Sequence, residues 1–439
     1  MRKALRIAIT VVGLTFGLAV PAISQAQTVT RQGIEAVNFA KTPGPEFASA
    51  ASPTPDSAAR APVPQDTQTP AAAPAQAPAA PTPLPNPTMT APLSTAAPPH
   101  TFDAGPVGTV DLTGILSGIM LTGDNRFPGQ NATYWDVSNA QIFLQKTTGW
   151  WQFYLQGGAY SLPALGTPYI DANHSLSDFY GPLPVGYLKL VKGNFSAEIG
   201  ELPTLIGAEY TFSFENLDVE RGLLWNQENA INHGIQLNDT YKKLSLSVSW
   251  NDGFYSNRYT WVTGSMAYAI NPANTLSFIA GGNAGTTDYA TAATPLFQNN
   301  SSIYEALYTY SHEGWYVQPY WQYTDVPKNS KIGAPKATST NGFALLFNYN
   351  FKHGISMALR PEYIAGSGSP TDGSVNLLYG PGSSAFAFTL TPTYQKGGFF
   401  ARGDLSIVNA RDIVAGDAFG TAGLNKTQTR GVLEAGFMF

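Results

Sequence analysis

The chain has 439 residues, of which only 12% are charged and 12% are aromatic; its net charge is −5 and it has no cysteine. Soluble domains average about 25% charged residues, so this composition argues against an ordinary soluble core. The acidic balance lacks the basic stripe a nucleic acid needs. Without cysteine there is no disulfide framework, thiolate metal site or cysteine nucleophile.

Residues 1–26 read as a secretory signal: Arg2, Lys3 and Arg6, then an apolar run from Ala8 to Val20, then Ser24-Gln25-Ala26. Residues 27–104 follow as a segment expected to be disordered, with a Pro/Ala tract at 42–99 that has too few bulky apolar side chains for a core. It reads as a periplasmic linker, or as a tether towards the cell wall or another periplasmic partner.

From 105 to 439 the texture changes. In Leu244–Asn251, LSLSVSWN, Leu244, Leu246, Val248 and Trp250 alternate with serines and an asparagine. Side chains in a strand point to opposite faces with a period of two, so one face is apolar and the other hydroxylic. The same pattern recurs around 343–351, 355–363 and 385–394. Apolar outward to lipid and small polar inward to water is the pattern of a transmembrane barrel. Closure is required because lipid cannot satisfy an open strand edge.

The expected fold is therefore all-β, a closed antiparallel transmembrane barrel. Its strands fall near 108–121, 134–146, 149–160, 184–191, 194–201, 233–241, 244–251, 258–270, 273–282, 301–311, 314–325, 339–351, 354–365, 383–395, 397–408 and 428–439. Short Gly-, Asn- or Lys-rich turns alternate with longer loops, as a barrel with short periplasmic turns and long outer loops requires. That alternation favours sixteen strands; fourteen or eighteen also lie within the boundary error.

The end, GVLEAGFMF, places Leu433, Ala435, Phe437 and Phe439 on one face. A terminal aromatic strand ending in phenylalanine resembles the signal read by the barrel assembly machinery, which assigns that role to Phe437 and Phe439. The segments ERGLLWNQEN and SWNDGFYSNRY resemble the β-barrel porin-2 (OmpL-like) family over roughly 105–439. The resemblance implies an outer-membrane barrel with a pore function and supplies no substrate or site residue.

By its strand count the chain is also similar to general porins, whose third outer loop folds into the lumen. Here that loop is 202–232. Leu223, Leu224 and Trp225 would anchor it on the wall. Glu209, Glu215, Asp218, Glu220 and Glu228, with Arg221 paired to neighbouring acids, would form a constriction that favours cations. Period-two parity turns Asp111, Lys189, Glu198, Glu305, Arg360, Glu362, Arg402, Asp404 and Glu434 inward as lumen wall. Among them Lys189, Arg360 and Arg402, facing an acidic loop, would create a transverse field; the alternative is an ordinary hydrated lumen with local ion pairs. Tyr154, Tyr187, Tyr316 and Tyr320 also fall inward. Trp150, Trp151, Trp250, Trp261, Trp315 and Trp321 are expected in the interfacial girdles.

No GxSxG elbow or HExxH site occurs, and the five histidines are scattered. No enzyme, cofactor or metal site is expected. The expected function is passive diffusion of small hydrophilic solutes or ions across a bacterial outer membrane, its lipid being the barrel's surroundings. The alternative is a barrel plugged by its loops, with the Pro/Ala tract as the working part.

Overall fold

The computed structural model describes Leu93 and residues 99–439. The signal and nearly all of the Pro/Ala tract lie outside the described residues. A short strand β1 (His100–Asp103) precedes sixteen long ones. These are β2 (Thr109–Gly123), β3 (Thr133–Lys146), β4 (Trp151–Tyr160), β5 (Val185–Lys192), β6 (Phe195–Pro203), β7 (Ile231–Tyr241), β8 (Leu244–Asn251) and β9 (Trp261–Asn271). They continue with β10 (Asn274–Asn283), β11 (Ser302–His312), β12 (Trp315–Val326), β13 (Thr338–Asn350), β14 (Ile355–Gly366), β15 (Ser384–Lys396), β16 (Phe399–Arg411) and β17 (Thr427–Met438).

Each long strand pairs antiparallel with its neighbours in sequence, and β17 pairs back onto β2, from Met438↔Ile115 to Arg430↔Gly123. The result is a closed sixteen-stranded antiparallel barrel, with expected and observed strand ends agreeing to within three residues. β1 lies in the segment read as disordered, yet it pairs with β2 from His100↔Leu112 to Asp103↔Thr109. There is a physical reason for this order. β17 covers β2 only from Ile115 onward, and the backbone of Phe439 exchanges two hydrogen bonds with Gly114 (2.9 and 3.0 Å). β1 takes the remaining edge, so the strand presents no bare backbone groups there.

Burial follows the pleat. Along β15, Ala385, Ala387, Thr389, Thr391 and Thr393 face inward while Phe386 and Phe388 are exposed to the lipid side. Trp150, Trp250, Trp315 and Trp321 are exposed as expected, and Trp135 joins them. Trp261 is a correction. It is fully buried and faces inward, its indole N–H donating to the Asn299 carbonyl at 2.8 Å with Phe254 packed edge-on. It belongs to the same inward parity as Thr263, which outweighs its position near a strand end.

The interior is not lined with hydroxyls alone. Ile303, Leu307, Leu346, Ile364 and Val408 also point inward and pack on Leu217, Leu223 and Leu224 of the third long loop. A second cluster joins Phe143, Phe400 and Met438 of the wall to Phe212 and Phe214 of that loop. Leu93 is buried within this second cluster, which also holds Ile115 and Met438.

Candidate functional site

The third long loop, residues 204–230, lies inside the barrel, and every residue from 211 to 224 is buried. Its fold is set locally. The Asn216 side chain accepts from the Tyr210 N–H at 2.7 Å and donates to the carbonyls of Tyr210 and Phe212. The Glu215 carboxylate accepts from the Phe212 N–H at 3.2 Å. These bonds satisfy backbone groups that a loop in the lumen would otherwise leave unpaired.

Beyond this knot the loop's side chains turn alternately to apolar and polar groups of the wall. Leu217 and Val219 enter apolar clusters, while Asp218 and Glu220 reach polar groups of the wall. Three arginines of the wall clamp the loop. Arg360 of β14 pairs with Glu209, with Asp218 at 3.2 Å and with Glu362 at 3.2 Å, and donates to the Glu220 carbonyl at 2.8 Å. Arg402 of β16 pairs with Glu434 at 2.8 Å and donates to the carbonyls of Asn216 (2.9 Å) and Ser213 (2.5 Å). Arg430 of β17 pairs with Glu220 at 2.9 Å and donates to the Ala164 carbonyl at 2.8 Å.

Carboxylates of the wall bind the loop backbone in turn. Asp404 accepts from Glu220 N–H at 2.7 Å, Glu362 from Leu223 N–H at 3.0 Å, and Glu305 from Gly207 N–H at 2.8 Å. Charge-assisted bonds of this kind are roughly twice as strong as neutral ones. Gly222 makes the approach feasible: a Cβ there would lie 2.1 Å from the Glu362 carboxylate. Gly342 of β13 similarly leaves room for Leu224, whose Cγ would sit 3.0 Å from an added Cβ. Leu223 and Leu224 are buried, each burial worth roughly 1.5–3 kcal/mol, and Trp225 is half-buried.

Arg221 departs from the expected pairing with neighbouring acids. It is fully buried, yet its three guanidinium nitrogens have no hydrogen-bond partner in the protein. Its group lies over the Trp225 ring at 5.1 Å instead, and burial pushes its pKa down to about 10. The reason is that its backbone is claimed elsewhere, bonding Pro163 and Leu165 of the second long loop and fixing where the side chain emerges. Burial also pushes the Glu215 carboxyl up to about 8, against the lowering effect of the Phe212 N–H and of Arg221.

Glu228 has a different setting. Its carboxylate takes the Gln322 amide at 2.7 Å and the Tyr320 hydroxyl, both from β12. Tyr320 also reaches Glu305 at 3.3 Å. Two expected wall residues stand away from the loop: Lys189 and Glu198 pair with each other at 2.8 Å. Asp111 is half-buried near Thr147 (3.5 Å). Tyr154, Tyr187 and Tyr320 are buried on the inner face, and Tyr316 packs there in part.

Sequence reasoning did not single out Arg430 or the second long loop. Arg430 shares the inward parity of Glu434, so strand parity alone would have found it. The contact of Ala164 and Leu165 with the third loop carries no comparable signal.

A closed sixteen-stranded barrel, lipid-facing outside and entered by its third long loop, defines an outer-membrane barrel of the porin type. Residues 109–439 match the family model described as "Putative beta-barrel porin-2, OmpL-like", and the chain belongs to that family. No curated protein sequence matches it. Among solved structures it is similar to the outer-membrane protein OmpT of Vibrio cholerae, at 10% identity and a TM-score of 0.50, over 77% of this chain and 100% of that one. The outer-membrane channel DcaP of Acinetobacter baumannii aligns at 10% identity and a TM-score of 0.49, over 75% of this chain and 97% of that one. At these identities the likeness concerns the fold.

Proposed function

We propose that the protein is a porin for passive diffusion of small hydrophilic solutes and ions, narrowed by its third loop and weakly selective for cations. The carrying observation is the charge around the loop. Among the described residues around the loop, eight acids, Glu209, Asp218, Glu220, Glu228, Glu305, Glu362, Asp404 and Glu434, stand against four arginines, Arg221, Arg360, Arg402 and Arg430. Between low-dielectric walls an acidic excess attracts cations and repels anions. The test is the reversal potential of the refolded full chain in planar bilayers under a KCl gradient. Glu228→Gln with Glu305→Gln should lower the cation/anion permeability ratio; an unchanged ratio would remove these acids from the path.

A second reading has its own support. The loop is buried along its length and the wall packs on it as a core, which favours a barrel plugged at rest. In that case the Pro/Ala tract would do the work by contacting the cell wall or a periplasmic partner. A barrel that stays electrically silent, together with loss of envelope integrity on deleting 42–99 alone, would favour this reading. In either case Phe437 and Phe439 are proposed as the assembly signal. Phe439 closes the barrel seam against Gly114, where an added Cβ would lie 2.4 Å from its ring.

A further inference from the structure

The loop meets the wall along two edges of different chemistry. Towards β14, β16 and β17 the contact is a set of paired charges: Arg360, Arg402 and Arg430 hold loop acids and carbonyls. Thr389, Thr391 and Ser406 are all bonded into the same network. Towards β12 the contact has no cation. The inward positions of β12 are Tyr316, Gln318, Tyr320, Gln322 and Thr324, an uncharged polar ladder along the whole strand.

Oxygens of four of these five residues, Tyr316, Gln318, Gln322 and Thr324, are buried without a hydrogen-bond partner. No other strand among the described residues carries more than one residue of this kind. The second carboxylate oxygen of Glu228 and the amide oxygen of Asn348, on the neighbouring β13, are unpartnered as well. The Gln322 amide nitrogen donates to the Glu228 carboxyl group at 2.7 Å, and its amide oxygen is the atom left without a partner.

Buried acceptors without donors are costly, and water or a cation is what satisfies them. The carboxyl groups of Glu228 and Glu305 share the donors Tyr320 and Gln322 midway along the ladder, with Gln322 at 2.7 Å from Glu228 and 3.4 Å from Glu305, and Tyr320 at 3.3 Å from Glu305. No guanidinium joins them in the ion pairs of the described residues. Hydration therefore favours parting the loop from β12, whereas parting it from β14–β17 would strand buried charges.

We propose that conduction follows β12: the loop parts from this strand, and water and hydrated cations pass along the Tyr316–Thr324 ladder while the arginine-clamped edge stays closed. This rests on the porin reading and adds the route to it.

The absence of cysteine makes the test direct. Single variants Gln318→Cys and Thr324→Cys report the ladder; Thr389→Cys and Ser406→Cys report the clamped edge. Each refolded full-length variant, its fold checked by heat-modifiable gel mobility, is exposed in liposomes to a positively charged methanethiosulfonate reagent. Labelling is read by intact mass and current by planar bilayer recording. Ladder positions should label about tenfold faster than clamped ones, and labelling them should reduce the current. Gln318→Glu should raise the cation/anion permeability ratio about twofold or more, a readout independent of the thiol variants. A conducting barrel whose clamped positions label as fast as the ladder, or whose ratio is unmoved by Gln318→Glu, overturns the route and leaves the porin reading standing. A barrel that never conducts overturns both.

Discussion

Replacing Arg360 by methionine removes the guanidinium that pairs with three buried carboxylates at once. Glu209 and Asp218 belong to the loop and Glu362 to the wall, and all are nearly or fully inaccessible to solvent. Methionine keeps much of the volume, so the loss is electrostatic rather than a cavity. Breaking one buried pair by removing a partner costs about 3–5 kcal/mol. The Glu220 carbonyl and the Thr389 hydroxyl lose their donor as well, at about 1–3 kcal/mol for each group left buried and unsatisfied. A loss of about 3–5 kcal/mol alone shifts the loop's inserted/released ratio by roughly two to three and a half decades. Limited trypsin digestion of liposome-embedded protein reads this, because Arg221 within the loop is buried in the parent. The variant should be cleaved after Arg221 under conditions where the parent is intact. Adding Glu209→Gln, Asp218→Asn and Glu362→Gln should restore much of the protection. A variant as protected as the parent, with the same thermal midpoint, would refute the view that paired charge holds the loop.

Gly222→Ala should loosen the loop by about 1–3 kcal/mol, because its Cβ would collide with Glu362 at 2.1 Å and displace the acceptor of the Leu223 N–H. The same digestion, showing partial cleavage, checks it. Raising the pH should also weaken insertion. The Glu215 pKa is raised to about 8 from its ordinary 4.5. The inserted loop therefore keeps a proton that the released loop loses, and the contribution is present in full below about pH 4.5 and declines as pH rises towards 8. Cleavage after Arg221 at pH 8.5 that is no faster than at pH 5, after correction for trypsin's own pH dependence, would contradict this; Glu215→Gln should flatten the profile. Leu93→Cys should stay unlabelled by a thiol reagent until denaturant is added, since Leu93 is 2% exposed among Phe143, Phe400 and Met438. Immediate labelling would show that Leu93 is not seated there.

The wall was readable because a strand's two faces alternate strictly, and lipid demands apolar side chains on one of them. LSLSVSWN needs no tertiary information to be oriented, and neither do Arg360, Arg402, Asp404 and Glu434. Trp261 shows the limit of reading by residue type: a tryptophan near a strand end reads as a girdle residue until its parity is counted. The segment 204–230 was recognisable as unusual from ENLDVERGLLW, with acids at close spacing around apolar anchors. Nothing local, however, says which arginine meets which acid. Glu220 and Arg430 are 210 residues apart, and Ser213 and Glu434 are 221 apart.

The sequence by itself determined the closed barrel and its lipid and lumen faces, because these follow from a short-range period; the lengths of the connections favoured sixteen strands over fourteen or eighteen, and the loop expected in the lumen came from the resemblance to general porins. Only the tertiary structure decided that three of the loop's acids are matched to wall arginines on one side, that Arg221 lies buried over Trp225 without a hydrogen bond to any acid, and that β12 presents unsatisfied oxygens on the other side. Such pairings depend on barrel closure and register, which bring distant strands around one loop. No local period encodes them.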